Sequence, residues 1–211
     1  MTRIPLIVFG LGKVGRTFVR QLVRNGATLS RRLRLQLVVV GLSQRDYMLL
    51  DPSGLGTSRL MAIVEGLESG QSLLHHEGGQ IKPDNRSLLD ALLPMLDEPP
   101  VVIDATSTEG METDLLYALD RDCLLALANA RTLVGPWAVR RRFFEDPRVR
   151  FEATVGAGLP VTRTLRDLLE TGDRASVIEG SLSGTVGYIC STPARCAVFR
   201  GAGSGSGTGL H

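Results

Sequence analysis

The residues best suited to chemistry lie at the start of the chain, in Gly10-Leu11-Gly12-Lys13-Val14-Gly15. An apolar, β-rich run (Ile4 to Phe9) leads into them. Val14, Phe18, Leu22 and Val23 follow at helical spacing, with Gly26 as the expected helix stop. A G-x-G-x-x-G spacing between strand and helix is what seating a dinucleotide's diphosphate requires. Gly10 allows the tight turn, Gly12 lets the backbone approach the phosphates, and Gly15 lets helix and strand pack closely. The helix N-terminus adds unpaired N–H groups and a positive dipole end, with Lys13 and Val14 in its first turn. A turn serving only strand-to-helix packing is the plainer alternative, and the flanking pattern favours the dinucleotide.

Cofactor choice turns on the end of the second strand-like run, Leu35 to Val40, whose β-branched residues suit a strand buried on both faces. NAD sites usually place an acid at that point, for the ribose 2′-hydroxyl. Here the chain reads Gly41-Leu42-Ser43-Gln44-Arg45. A hydroxyl and a guanidinium, Ser43 and Arg45, suit a 2′-phosphate better, because arginine pairs bidentately with phosphate. The expected cofactor is therefore NADP rather than NAD. Read blandly, Arg45 is a solvated loop residue.

The remaining elements alternate. A helical stripe at Leu60, Ile63, Val64 and Leu67, a strand at Val101 to Thr106, a helix from Thr113 to Asp120 and a strand at Cys123 to Ala128 are expected. Then come a helix from Pro136 to Phe144, a strand at Val149 to Val155, a helix from Pro160 to Leu169 and a strand at Ala175 to Leu182. The pattern is that of an α/β, Rossmann-type parallel sheet with helices on both faces, followed by a partial α+β segment. The segment from Leu42 to Glu98 is too irregular to lay out. The division read from this is a nucleotide-binding domain over 1–150, a partial substrate or dimerisation segment over 151–191, and a disordered Gly/Ser-rich tail over 192–211.

Composition excludes several classes. With 211 residues, 43% hydrophobic and 22% charged, the chain can bury a core. A formal charge of +2 gives no field for nucleic acid or anionic lipid, and no apolar run is long enough to span a membrane. Three cysteines without paired spacing, Cys123 and Cys190 among them in apolar runs, read as inert thiols of a cytoplasmic protein. Arg140-Arg141-Arg142 reads as a solvated helix face and Trp137 as a packing residue. His75-His76 reads as a solvated pair in a polar loop. Of 24 basic residues only Lys13 and Lys82 are lysines, so ammonium chemistry has two positions open to it. Lys82 lies in a polar Lys-Pro-Asp-Asn turn.

A second glycine segment, Glu152-Ala153-Thr154-Val155-Gly156-Ala157-Gly158-Leu159-Pro160, leaves a strand and enters a helix through an irregular turn. One carboxylate near successive main-chain carbonyls is a hard-cation ligand set; a structural turn with a buried Glu fits the residues equally well.

With this segment the chain resembles homoserine dehydrogenase. The resemblance rests on Gly10 to Gly15, on Asp104-Ala105-Thr106-Ser107, on Ala128-Asn129, on Glu152 to Pro160, and on Gly180-Ser181-Leu182-Ser183-Gly184-Thr185-Val186-Gly187-Tyr188-Ile189. It implies hydride transfer between L-homoserine and aspartate 4-semialdehyde with NADP or NAD. By resemblance Gly12, Val14 and Gly15 hold the pyrophosphate, and Thr106 and Ser107 lie beside the nicotinamide-side ribose. Asn129 and Gly184 are also counted with the cofactor, and Thr185 with the substrate. Glu152, through its side chain, and Val155, Ala157 and Leu159, through main-chain oxygens, would form a sodium-type monovalent metal site. The second domain would carry the substrate site and a homodimer interface.

The chain departs from the family's pattern in three places. Ala130, followed by Arg131, stands where lysine is usual after Ala-Asn, and arginine does not replace lysine in such geometry. Gly187 stands where asparagine is usual. The acidic segment carrying the family's proton-transfer lysine is not found, so no catalytic residue is assigned and the isolated chain is expected to be inactive. The tail after residue 191 reads as a linker, frameshifted end or truncation scar. A non-catalytic dinucleotide-binding module is the alternative function.

Overall fold

The computed structural model describes residues 1–180. It divides the chain into two units, Met1–Thr154 and Val155–His211. The first unit is built on one sheet of seven strands: β1 (Thr2–Phe9), β2 (Leu35–Gln44), β3 (Tyr47–Leu50), β4 (Gly79–Ile81), β5 (Val101–Asp104), β6 (Leu124–Leu127) and β7 (Val149–Arg150). Their order across the sheet is β4-β3-β2-β1-β5-β6-β7. Its helices are α1 (Lys13–Leu33), α2 (Thr57–Glu68), α3 (Asn85–Leu92), α4 (Glu112–Leu119) and α5 (Trp137–Glu145).

β1 is apolar throughout because both its faces are covered. Ile7 and Phe9 pack with Val40, Leu88, Leu92, Leu115 and Phe143. Leu6 and Val8 point the other way, onto Val19, Val39, Leu60 and Ile63. Alternate side chains of a strand face opposite sides, so a central strand between two helical layers needs no polar alternation. This is the α/β, Rossmann-type architecture read from the sequence.

The sheet is mixed, a parallel core with an antiparallel edge. β1, β2, β5, β6 and β7 run parallel, but β3 is antiparallel to β2 and β4 to β3. The cause is local. Gln44 pairs with Tyr47, leaving only Arg45-Asp46 to reverse the chain, and two residues close a hairpin where a parallel crossover needs a helix. The apolar Tyr47–Leu50 run then pairs directly back onto β2.

Smaller expectations also move. α1 passes through Gly26 and ends two turns later, at Arg34 with φ +55°, where Arg31 and Arg32 complement the negative end of the helix dipole. Pro136 and Pro160 cap their helices and do not begin them. The expected strand at Val149 to Val155 stops at Arg150, and Glu152–Thr154 forms a 3₁₀ turn.

In the second unit, α6 (Val161–Glu170) is the one helix among the described residues, and it buries none of its side chains. Ala175 to Gly180 does not form the expected strand. An extended segment needs a neighbouring strand to take up its N–H and C=O groups, and the described residues provide none. Ser181 onward lies outside the described residues. With it go Leu182, Gly184, Thr185, Gly187, Cys190 and the Gly/Ser-rich tail.

Candidate functional site

The C-terminal ends of β2, β1 and β5 converge on Gly10. Its N–H donates to the Ser43 carbonyl at 2.9 Å, and the Ala105 N–H donates to the Phe9 carbonyl at 2.8 Å. Gly10 has φ +89°, and a Cβ there would stand 2.6 Å from the Thr106 nitrogen. A Cβ on Gly15 would stand 1.9 Å from the Gly10 carbonyl oxygen, so the helix approaches the loop only because both positions are glycine. Gly12 differs, since a Cβ there would meet nothing within 4 Å. Packing does not explain Gly12. It borders open space, where a ligand would need bare backbone.

Gly12 is also the N-cap of α1 and offers no side-chain cap, and the first turn holds no acidic residue. The first N–H groups of a 21-residue helix are left for an anion. They lie at the end of β1, between β2 and β5, where the strand order reverses: the chain runs outward from β1 through β2 to β4 and then returns to the other side of β1 at β5. Such a switch point is the usual ligand position in these sheets.

That crevice has a volume of about 580 Å³ and is lined by Gly10, Gly12, Arg16, Ser43, Arg45, Lys82, Asn85, Thr106, Ser107 and the Thr108–Met111 loop. The size is that of an ordinary small-molecule site. Uncapped amides, the free approach at Gly12 and three cationic side chains fit a dinucleotide phosphate.

On the β5 side, the fully buried Asp104 anchors the loop. Its Oδ1 accepts from the Thr106 N–H at 3.0 Å and the Thr106 hydroxyl at 2.7 Å, and its Oδ2 accepts from the Thr132 hydroxyl at 3.0 Å. Asn129 Nδ2 donates to Thr106 Oγ1 at 3.1 Å and to the Thr108 carbonyl at 2.9 Å, while its Oδ1 accepts from the Arg131 N–H at 3.1 Å. Thr106 and Ser107 therefore line the crevice. Asn129 is buried and holds them from behind. Ala130 is exposed at the start of a 3₁₀ turn, and the Arg131 guanidinium pairs with Glu109 at 2.6 Å.

On the β2 side, Ser43 is buried and its Oγ accepts from Lys82 Nζ at 2.8 Å. Lys82 also donates to Asn85 Oδ1 at 2.6 Å, and Asn85 Nδ2 donates to Asp114 at 2.8 Å. Burial pushes the Lys82 ammonium below the ordinary lysine value, against the opposite pull of Asp46, Asp114 and Asp84. Arg45, in the hairpin turn, is exposed on the crevice rim. The Gln44 amide is turned away, accepting from the Leu73 N–H at 3.1 Å.

The structure thus gathers Gly10, Gly12, Ser43, Arg45, Thr106 and Ser107 around one crevice. Lys13 and Val14 are exposed in the first turn of α1, and Gly15 is buried beneath it. Sequence reasoning missed Lys82, Asn85, Arg16 and the loop after Ser107. Arg16 was within reach of it, one residue past the last glycine; it donates to the Leu11 carbonyl at 2.8 Å and pairs with Glu68. Lys82 carried no local signal. Its place follows from the β2–β3 hairpin and the antiparallel pairing of β4 with β3, which bring the turn after Ile81 back to Asp46, where the Lys82 N–H donates to the Asp46 carbonyl at 2.8 Å. Lys82 does lie in the polar turn expected of it, but half-buried and on the crevice.

Glu152 stands in the 3₁₀ turn that closes the first unit. In the second unit, Gly156 and Ala157 take φ +74° and +52°, and the Leu159 carbonyl accepts the Val161 N–H at 2.9 Å. Among the described residues no cluster of three or more His, Cys, Asp or Glu side chains could hold a metal, and no helix is long and apolar enough to cross a membrane.

No family model matches the chain. A chloroplastic bifunctional aspartokinase/homoserine dehydrogenase of Arabidopsis thaliana is 28% identical over 193 residues, covering 89% of this chain and 20% of that protein. The homoserine dehydrogenase of Saccharomyces cerevisiae is 27% identical over 192 residues, covering 88% of this chain and 49% of that enzyme. The chain therefore spans a fifth of the bifunctional relative and about half of the yeast one. A hyperthermophilic archaeal homoserine dehydrogenase in complex with NADPH shares the fold, with TM-score 0.62 and 20% identity over 80% of this chain and 50% of that one. The chain is thus similar in sequence to homoserine dehydrogenases over nearly its whole length, and it shares the fold of the archaeal one.

Proposed function

We propose that the first unit binds NADP, and that the protein interconverts L-homoserine and aspartate 4-semialdehyde, a step toward threonine and methionine. The observation that carries the nucleotide reading is Gly12: uncapped helix amides border open space at a position where packing does not require glycine. The end of β2 favours NADP over NAD, since it presents Ser43 and Arg45 where an NAD site has a carboxylate. When bound, the nicotinamide would supply the hydride acceptor. The chain's own part is to hold the diphosphate at α1 and to keep Thr106 and Ser107, braced by Asp104 and Asn129, beside the nicotinamide-side ribose.

The relatives' names support the reaction, and the share of those proteins that the chain spans keeps it a proposal for the whole protein. A homodimer and a cytoplasmic site belong to the same reading; the buried free thiol of Cys123 suits a reducing compartment. The sodium-type set of Glu152, Val155, Ala157 and Leu159 belongs to the same reading through the sequence resemblance. A non-catalytic nucleotide-binding module is the second reading, favoured by Ala130 in the usual lysine position and by the engagement of Arg131 with Glu109.

Calorimetric titration with NADPH, followed by a homoserine-dependent assay of NADP reduction, tests both readings. Turnover by a version extended with the family's C-terminal region and carrying Ala130→Lys supports the dehydrogenase, and NADPH binding without turnover in that version supports the module. Absence of binding contradicts both.

A further inference from the structure

The half-buried ammonium of Lys82 has no carboxylate within ion-pairing distance among the described residues, whereas arginines such as Arg59, Arg86 and Arg148 pair with aspartates. Its hydrogen bonds go to two neutral oxygens, Ser43 Oγ and Asn85 Oδ1. An ammonium has three donors, so one remains. Asp46, Asp84 and Asp114 act on it only from beyond ion-pairing distance, and a partly desolvated cation without a direct ionic partner is better satisfied when an anion takes its free donor. Lys82 lines the same crevice as Gly12, Ser43 and Arg45, and it lies on the β2 side. With the diphosphate at the α1 N-terminus, the strand after the glycine loop ends beside the adenosine ribose.

We propose that Lys82 is the principal cation for the ribose 2′-phosphate of NADP, with Arg45 closing over it from the rim and Ser43 holding the ammonium in place. This rests on the reading of the crevice as a dinucleotide site and names the residue that sets its preference. The arrangement suits a lysine, one of only two in the chain. Ser43 and Asn85 grip a compact ammonium from two sides, and a broad planar guanidinium would not fit between them. Asn85 in turn is fixed by Asp114, so the cation is held before ligand arrives.

The test measures NADPH and NADH affinity for the unsubstituted chain and for Lys82→Met, with thermal unfolding to establish that the variant is folded. NADPH binding should weaken roughly tenfold or more while NADH binding stays within about twofold, because only NADPH carries the 2′-phosphate. Unchanged NADPH affinity, or an equal loss for both nucleotides, overturns the proposal. If the unsubstituted chain binds neither nucleotide, the dinucleotide reading itself falls, and the proposal with it. A second measurement needs no variant: amine acylation followed by mass spectrometry, with the exposed Met1 amine as internal reference. NADPH should slow labelling of Lys82 markedly more than NADH does. Equal labelling of Lys82 with and without NADPH overturns the proposal.

Discussion

His76 is half-buried where α2 meets the Leu73–His75 turn, close enough to Gly66 that a Cβ on that glycine would fall 2.7 Å from the ring. Its Nε2 is buried without a hydrogen-bond partner among the described residues. Burial first, then the nearby His75 and Arg59, pushes its pKa below the ordinary 6.5. The unfolded chain therefore takes up a proton that the folded chain resists. Stability is intact above the unfolded value of 6.5 and falls as the pH drops below it toward the folded one. Urea midpoints between about pH 8 and pH 5.5 should fall more for the unsubstituted chain than for His76→Gln. Parallel profiles would contradict this. The sequence could mark the pair as histidines in a polar loop but not the burial of the second, which depends on a helix ten residues earlier. Asn129 is similar: its type and place were legible, but its commitment to Thr106 and Thr108 comes from a loop more than twenty residues away.

At the scale of elements, β1, α1 and the corner between them were legible because everything that makes them is contiguous: apolar run, three glycines, helical stripe. The limit of α1 was not, since Gly26 meets nothing within 4 Å and so neither helps nor blocks continuation. The antiparallel strands β3 and β4 were missed because the two-residue Arg-Asp turn into β3 carries no glycine signal and β4 pairs with β3 only across the intervening α2. Their consequence is large, as they deliver Lys82 to the crevice. The closeness of α1 to β1 yields a prediction of its own. Gly15→Ala would drive a methyl into the Gly10 carbonyl at 1.9 Å, backbone that cannot swing aside. Chemical denaturation should show a loss of about 1–3 kcal/mol or more. A change under about 0.5 kcal/mol would mean that α1 packs on β1 less tightly than the coordinates show.

For the whole molecule, the sheet order places β1 between two outgoing directions, toward β2 and toward β5, and the crevice opens at that division. One side presents Ser43, Arg45 and Lys82, the other Thr106 and Ser107, with uncapped helix amides between them. A ligand that binds only the folded chain stabilises it by about 2.7 kcal/mol at a hundredfold excess over Kd. The most direct test of diphosphate seating at α1 compares NADPH-dependent stabilisation of the unsubstituted chain with that of Gly12→Ala. The added methyl touches no protein atom, so the unliganded variant should keep its stability within about 1 kcal/mol. It should lose most of the NADPH-dependent gain, because the methyl occupies the path of the phosphates. A Gly12→Ala chain that binds NADPH as tightly as the unsubstituted one would contradict the placement of the nucleotide.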